Sequence, residues 1–493
     1  MKTIEIIPKV KVKNNKILSL VYTPGVSLSC LKIKENLEKV FELTNRSNSV
    51  AVLSRDYDLS LKRAMFLKET RAADAYPLVI RDCSKEDLQT VIDAIMPNFM
   101  GVDTTLIEGL SYDNQEFIPT CSRGCILPDA FGIEDMEPLE LRSAFGGVIQ
   151  TKISEVIDSR KPVAIISDGS AVLGLGNIGP TAGLPVMEGK AVLFKELCDV
   201  DAMPLCLNTQ DVNKIKKIVL LLENSFSGIN LEDIKAPECF EIERFLIQNS
   251  KIPVFHDDQH GAAVAVLAGL YNALKIVNKS LNKIKIVISG AGAAGQAIAR
   301  LLLKAGAKNI IMTDILGIVY KGREGNNFSL EAISKITNQL NIKGTLEDAV
   351  KNADVFIGVS TGNVLRPEWI ETMADDPVIF ALANPVPEIA PESAKKAGAK
   401  IVATGRADYE NQINNSLVFP GLFDGVLNAG IKMITDEIKI AVAKTIASTI
   451  ARDELNRGYI IPNALNKTVA KNVSACIIDY VRNLTTEHIK RPI

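Results

Sequence analysis

The segment KIKIVISGAGAAGQAIARLLLKAGAKNIIMTDILG, Lys283 to Gly317, constrains the fold of this chain more than any other stretch. Ile284, Ile286, Val287 and Ile288 form a short β-branched run of the kind carried by parallel strands buried on both faces. Gly290, Gly292 and Gly295 then satisfy G-x-G-x-x-G where strand should turn into helix. Missing side chains there let backbone N–H groups, with Ala293 and Ala294 between the last two glycines, approach a pyrophosphate at the positive end of a helix. Asp314 closes the unit at the end of a second strand, about 20 residues beyond the glycines, placed to accept hydrogen bonds from an adenosine ribose. Glycine-rich turns also serve tight packing, but the full strand, turn, helix, strand context points to a bound dinucleotide. The runs ADVFIGVST, PVIFALANP and AKIVATG follow, and each ends in small or polar residues, Ser360 and Asn384 among them. Strands whose carboxyl ends form a ligand crevice end in this way. The expected fold class is α/β, with a Rossmann-type doubly wound parallel sheet from about residue 277 to 440. The stretch AGIKMITDEIKIAVAKTIASTIARDEL has apolar residues at helical spacing and is expected to pack as a C-terminal helix.

At 493 residues the chain exceeds one ordinary core. We expect an N-terminal domain over 1–276 and the doubly wound domain with its C-terminal helices over 277–493. The formal net charge is −2 and no dense Lys/Arg run occurs, so neither nucleic acid nor an anionic membrane is expected as a partner. The opening MKTIEIIPKVKVKNN lacks the apolar core of a signal peptide, and no long uninterrupted apolar run follows, so the expected location is cytoplasmic. The eight cysteines lack the paired spacing of a structural zinc site or a disulfide framework and are expected to be mostly buried thiols. CSRGC, with Cys121 and Cys125, comes closest to a metal motif but has no second pair.

The first half contains an internal repeat. Setting Pro77 against Pro204, an offset of 127, pairs AMFLKETRAADAYPL with AVLFKELCDVDAMPL, and then Phe99 with Phe226 and Gly101 with Gly228. Upstream, SVAVLSRD echoes PVAIISDG. The first copy lacks the long Gly-rich loop of the second, has Arg63 opposite Lys190, and has Thr105 and Leu106 opposite Glu232 and Asp233. The expectation is a duplicated αβ unit whose first copy has lost the chemically active groups.

Those groups are two carboxylate pairs and a lysine. Glu232 and Asp233 lie in GINLEDI, and Asp257 and Asp258 in VFHDDQHG. Mg²⁺ and Mn²⁺ favour oxygen ligands, and carboxylates from two strand ends can share one ion while leaving positions open for a chelating substrate. A solvated acidic face is the plainer reading, but the second pair sits between apolar IPVF and GAAVAVLAGL, where unpaired carboxylates are costly. Lys190 ends SDGSAVLGLGNIGPTAGLPVMEGK, whose many small residues imply close packing and desolvation, which favour a neutral amine able to act as a base. A snorkelling surface lysine fits the spacing equally well. Tyr22 precedes a Thr-Pro-Gly turn, where a tyrosine usually serves structure. His256 and His260 suit softer metals and read as supporting residues.

The blocks VYTPGV, SDGSAVLGLGNIGPTAGLPVMEGKAVLFK, VDAMPLCLNT, GINLEDIKAPECFEIE, PVFHDDQHGAAV, GAGAAGQAIARLL, FALANPVPE and NQINNSLVFPGLFDGVLNAG resemble, in order, the motifs of bacterial-type malic enzymes. The resemblance covers Tyr22 to about Asn45 and then 160 to about 450. It implies oxidative decarboxylation of malate to pyruvate with NAD or NADP and a divalent metal, Mg²⁺ or Mn²⁺, in a homodimer. Lys190 would take the C2 hydroxyl proton and Tyr22 would protonate C3 of enolpyruvate. Glu232, Asp233 and Asp258 match the metal ligands, and Asp257 would pair with Lys190. Asn384 and Asn415 would contact malate or the nicotinamide ribose, with Asn414 assisting.

Residues 46–160 depart from the family pattern as an apparent insertion holding the degenerate copy, expected to serve an interface or packing before regulation. Asn177 and Asn208 stand where the family commonly has Asp. Asp314 argues for NAD, yet Lys321 and Arg323 in YKGRE can offset its charge toward NADP, so the choice stays open. Two other classes share these features. A hydroxy-acid dehydrogenase that stops at the keto acid would release no carbon dioxide, and a malate or nucleotide sensor would not need Tyr22, Lys190 and three candidate ligands together.

Overall fold

The computed structural model describes residues 2–22, 24–107, 137–155, 160–172 and 174–489, with side chains through 483. The Cys121 and Cys125 motif lies outside the described residues. Two compact units emerge, Met1–Phe255 with Ile431–Met433, and His256–Gly430 with Ile434–Ile493. The division after Phe255 falls upstream of the expected 276/277 boundary by the turn Asp257–Gly261 and the helix that follows it. That helix, Ala262–Ile276, is apolar nearly all round and packs in the second unit against the helices Ala293–Lys304 and Asp436–Ser448.

In the first unit, β1 (Lys2–Pro8) and β5 (Ile149–Glu155) form an antiparallel ribbon beside two parallel sheets. One sheet has order β3-β2-β4, from Ser49–Ser54 (β2), Asp74–Val79 (β3) and Gly101–Asp103 (β4). The other has order β7-β6-β8-β9, from Val163–Ser167 (β6), Ala202–Cys206 (β7), Gly228–Leu231 (β8) and Val254–His256 (β9). These are the two copies of the repeat, matched in register. Val50 faces Ala75 and Gly101 as Val163 faces Ala202 and Gly228. The helix Lys85–Ile95 and the 3-10 turn Met96–Asn98 recur 127 residues later as Val212–Leu222 and Glu223–Ser225. The helices Tyr57–Arg71 and Gly179–Cys198 both stop on a left-handed residue, Ala72 (φ 55°) and Asp199 (φ 54°).

The copies pack reciprocally. Asn208 N–H donates to the Ala94 carbonyl (2.8 Å) and Arg81 N–H to the Leu221 carbonyl (3.0 Å). The Asn98 side chain bonds the backbone of Cys206 at 2.7 and 2.8 Å, and the Ser225 hydroxyl bonds the backbone of Val79 at 2.7 and 3.1 Å. Each pair becomes the other when every residue is exchanged for its counterpart 127 positions away, the signature of an isologous two-fold contact. The ribbon is anchored in a matching way, though its strands do not share the offset: Ile6 pairs with Thr151, Ile6 N–H donates to Asp201, and Thr151 N–H donates to Asp74, the residue equivalent to Asp201 in the other copy. The repeat is therefore an internal pseudodimer. Asn98→Ala, which strands the buried backbone groups of Cys206, is expected to lower the unfolding free energy by on the order of 1–3 kcal/mol. A denaturant midpoint unchanged from wild type would contradict this account of the contact.

The second unit is the expected doubly wound domain. Its sheet runs β12-β11-β10-β13-β14-β15, built from Lys285–Ser289 (β10), Asn309–Asp314 (β11), Gly317–Ile318 (β12), Val355–Gly358 (β13), Val378–Ala381 (β14) and Ile401–Thr404 (β15). All pairs are parallel except β11 with β12. β10 through β15 bury nearly every residue, which explains their unbroken apolar runs. The expected C-terminal helix is shorter than its sequence pattern. Gly430, left-handed at φ 63°, ends the preceding helix Phe419–Ala429, and the Thr435 hydroxyl caps a new helix, Asp436–Ser448. A further helix, Lys467–Ile489, follows. The six described cysteines form no disulfide; Cys30, Cys206 and Cys239 are buried and the other three partly exposed.

Candidate functional site

In the first unit the Gly-rich sequence produces a loop and then the helix Gly179–Cys198, which starts with Pro180 at its first turn and is buried along most of its length. Gly169, with φ 67°, opens the loop where a side chain would overlap the backbone of Gly179. Lys190 on this helix is fully buried and donates to the Glu232 carboxylate, which also accepts from Asn230 Nδ2 at 3.0 Å. The snorkelling alternative for Lys190 is thereby excluded. Glu232 and Asp233 follow directly on the carboxyl end of β8 and are 2% and 3% exposed, so two carboxylates adjacent in sequence sit out of water. Asp233 is left-handed (φ 53°), and its carbonyl accepts from Ala171 N–H of the Gly-rich loop at 2.9 Å. Tyr22, 3% exposed, packs at the same helix: a Cβ on Gly189 would overlap the Val21 carbonyl and lie 3.0 Å from the Tyr22 ring. Tyr22, Lys190 and the first carboxylate pair thus belong to one unit. In the degenerate copy Arg63 instead binds Asp103, the counterpart of Asn230, at 2.7 Å.

In the second unit, residues Asp257–Gly261 form a single π-helical turn, a geometry frequent at functional sites. Asp257 is fully buried and accepts from Asn415 Nδ2 at 2.6 Å, and Gly261 is required because any side chain there would overlap the Asp257 carboxylate. Asp258 is partly exposed, with its carboxylate 3.8 Å from His256 Nδ1. His260 Nδ1 lies 3.1 Å from Lys439 Nζ. Among the described residues no three acidic, His or Cys side chains already converge at metal spacing. The donors present include the buried carboxylates of Glu232 and Asp233 at the end of β8, and carboxylate oxygen is the donor a hard divalent cation takes. The residues therefore fit such an ion.

Two of the three motif glycines are sterically required. Gly290 (φ 112°) makes the turn against Val359, Gly295 brings the helix Ala293–Lys304 onto the Gly290 carbonyl, and a Cβ on Gly292 would meet open space. Ala293 and Ala294 start that helix with no side-chain cap, leaving its first N–H groups to a ligand. The strand order reverses at β10, and Ser289 and Ser360, at the ends of β10 and β13, face each other at 3.2 Å between hydroxyls. Asp314 ends β11 as expected, and both its oxygens are held by Arg323 (Nη1 at 2.7 Å) and one by Leu316 N–H at 2.8 Å. Arg323 spends Nε on Asn326 (3.0 Å) and also reaches the Gly317 carbonyl, so it is committed within the fold. Asn384 follows β14 and is half-buried, and Asn414 caps its own turn by accepting from Ser416 N–H at 2.9 Å.

Glu388 was not singled out in the sequence, although it lies in the quoted block FALANPVPE. It is fully buried, accepts from Ser360 N–H (2.9 Å) and Ala383 N–H (3.0 Å), and so fastens the loop after β13 to the loop after β14. Burial raises its pKa, and the two N–H donors oppose that shift. Its position at the end of NPVPE was its only signal.

The family model described as malic enzyme, N-terminal domain, matches residues 141–247, and that described as malic enzyme, NAD binding domain, matches 259–482. The bifunctional malic/malolactic enzyme of Bacillus subtilis is 54% identical over 316 residues, 64% of this chain and 77% of the relative. The chain belongs to the malic enzyme family. An NADP-dependent malic enzyme of Halomonas elongata is 43% identical over 64% of this chain and 78% of its own length. Among solved structures, an NAD-dependent malic enzyme from Thermotoga maritima superposes with a TM-score of 0.61 at 37% identity, covering 95% of this chain and 94% of its own. Malic enzymes of both nucleotide preferences are thus relatives, and the second unit is the nucleotide-binding domain of this family.

Proposed function

We infer that this chain catalyses the oxidative decarboxylation of (S)-malate to pyruvate and carbon dioxide with reduction of NAD or NADP. The observation that carries the reading is a fully buried Lys190 held against Glu232 beside Asp233, in a chain whose other unit bears the dinucleotide glycines. We assign Glu232 and Asp233, and Asp258 by its place in the family motif, to hold a divalent cation. When bound, Mg²⁺ or Mn²⁺ supplies Lewis acidity toward the C2 oxygen, and the nucleotide accepts hydride. Lys190 removes the C2 hydroxyl proton, and its burial keeps water from competing for that proton. Tyr22 returns a proton to C3 after the C4 carboxylate has left as carbon dioxide. Asn415 orients Asp257, and Asn384 and Asn415 contact malate or the nicotinamide ribose.

Absorbance at 340 nm with malate, Mn²⁺ and each nucleotide, with pyruvate assayed in the product and EDTA added afterwards, tests this. Reduced nucleotide with stoichiometric pyruvate, stopped by EDTA, is the expected result. Lasting oxaloacetate would establish a simple dehydrogenase, and malate binding without turnover would establish a sensor. Because Arg323 is committed to Asp314, a 2′-phosphate would meet a carboxylate with no uncommitted guanidinium beside it, so NAD is expected to exceed NADP in kcat/KM by about tenfold or more. Asp314→Ala should narrow that ratio, and an unchanged ratio would remove Asp314 from the nucleotide site. A homodimer in the cytoplasm is part of the same proposal; no helix among the described residues is long and apolar enough to cross a membrane, and sedimentation velocity reads the assembly.

A further inference from the structure

Arg142 is the largest fully buried side chain among the described residues, on the helix Pro138–Phe145, and no step of the reaction uses it. Its Nη1 donates to Glu188 (3.1 Å), while Nη2 donates to the carbonyls of Val21 (2.9 Å) and Pro185 (2.7 Å). Val21 ends a short helix, Asn15–Val21, and Tyr22 is the next residue; Pro185 and Glu188 lie on the helix that carries Lys190. One planar cation therefore grips the backbone beside the proposed acid and the helix of the proposed base. Glu188, itself 1% exposed, is held in turn by Asn45 N–H (2.6 Å) and Val148 N–H (3.3 Å), at either side of the degenerate copy. Gly189 lets the two backbones close up, since its position has no room for a Cβ against the Val21 carbonyl.

We propose that Arg142, braced by Glu188, is a positioning residue that sets Tyr22 against the Lys190 helix, and that the helix Pro138–Phe145 thereby completes the site. The proposal rests on the reading of Tyr22 as the C3 acid and Lys190 as the base. Guanidinium geometry matters because Glu188 and the two carbonyls are served from two separate nitrogens; a lysine ammonium keeps the charge for Glu188 but carries all its donors on one atom of a shorter-reaching side chain, so it does not occupy both Nη positions. The fork holds the carbonyl next to Tyr22, whereas on the other helix it holds Pro185, five residues from Lys190, which Glu232 also holds, so loss of the fork acts on Tyr22 more directly than on Lys190.

The two proton transfers can be read separately. With Mg²⁺ and reduced nucleotide in D₂O, exchange of the pyruvate methyl protons followed by NMR reports removal and return of a C3 proton, a step without net oxidation or reduction. Single-turnover nucleotide reduction from malate reports the step at C2. Arg142→Lys is expected to slow methyl exchange by up to about a hundredfold, the penalty of an ångström-scale misplacement. Nucleotide reduction in the same variant should fall less than about threefold. Gly189→Ala, which pushes on Tyr22 without touching the ion pair, should give the same asymmetry and keeps the test open should Arg142→Lys fold poorly. Equal losses in both readouts, or no loss in either, would overturn the positioning role. Tyr22→Phe is the control: if it leaves exchange intact, the assignment of Tyr22 fails and takes this inference with it. If it abolishes exchange while Arg142→Lys and Gly189→Ala exchange normally, the inference alone fails.

Discussion

Lys190→Ala is expected to lower kcat for malate oxidation by about a thousandfold or more, the upper range for loss of a positioned general base. The side chain is fully buried and held against Glu232, and the carboxylate on the same turn of helix, Glu188, is paired with Arg142. Pyruvate methyl exchange should survive better than nucleotide reduction in this variant, because it depends on Tyr22. The substitution also has a cost in stability. Breaking a buried ion pair by removing one partner can cost on the order of 3–5 kcal/mol. Asn230, which still donates to Glu232, offsets part of that, and Mn²⁺ should offset more by taking over the carboxylate. A variant retaining more than a tenth of wild-type turnover would remove Lys190 from the role of base.

Asp233→Asn is expected to weaken Mn²⁺ binding by at least about a hundredfold, more than the 10–100-fold typical of losing a group that merely supports a ligand. Asparagine keeps the volume and tolerates the left-handed backbone at this position (φ 53°), so the effect isolates the charge. Two observables should move in opposite directions. Without metal the variant should unfold at the same temperature as wild type or above it, because one of two adjacent buried carboxylates is neutralised. With Mn²⁺ the rise in unfolding temperature seen for wild type should disappear, since stabilisation follows RT ln(1 + [L]/Kd) and vanishes as Kd grows. Calorimetric titration of Mn²⁺ into nucleotide-free protein reads the affinity without any turnover. Undiminished Mn²⁺ affinity would exclude Asp233 as a ligand, whatever happened to activity.

Local features were the legible ones. The Rossmann unit was readable because Gly290 and Gly295 answer backbone demands of one strand-turn-helix unit, and the strand runs were readable because burial on both faces leaves few polar positions. Lys190 was ambiguous in the sequence because a desolvated lysine and a snorkelling one have the same neighbours along the chain; its burial decided between them. Arg323 looked available to a 2′-phosphate and is instead bound to Asp314, a pairing across nine residues that depends on how β12 folds back antiparallel onto β11. Arg142 carried no signal of its own, and Glu388 only its place in NPVPE, because buried charged groups look like surface ones until their partners are known.

The sequence alone determined the α/β class, the nucleotide fingerprint, the family resemblance and the duplication in the first half, all properties written in residues close along the chain or in a repeated pattern. Only the tertiary structure decided that the two copies pack about a pseudo-two-fold, that Lys190 meets Glu232 42 residues away, and that Arg142 reaches Val21 across 121. The physical reason is range. Propensity, turn chemistry and periodicity act over a few residues, whereas a buried charge must find its compensating partner wherever the packed chain brings one within about 3 Å, and no local pattern records that meeting.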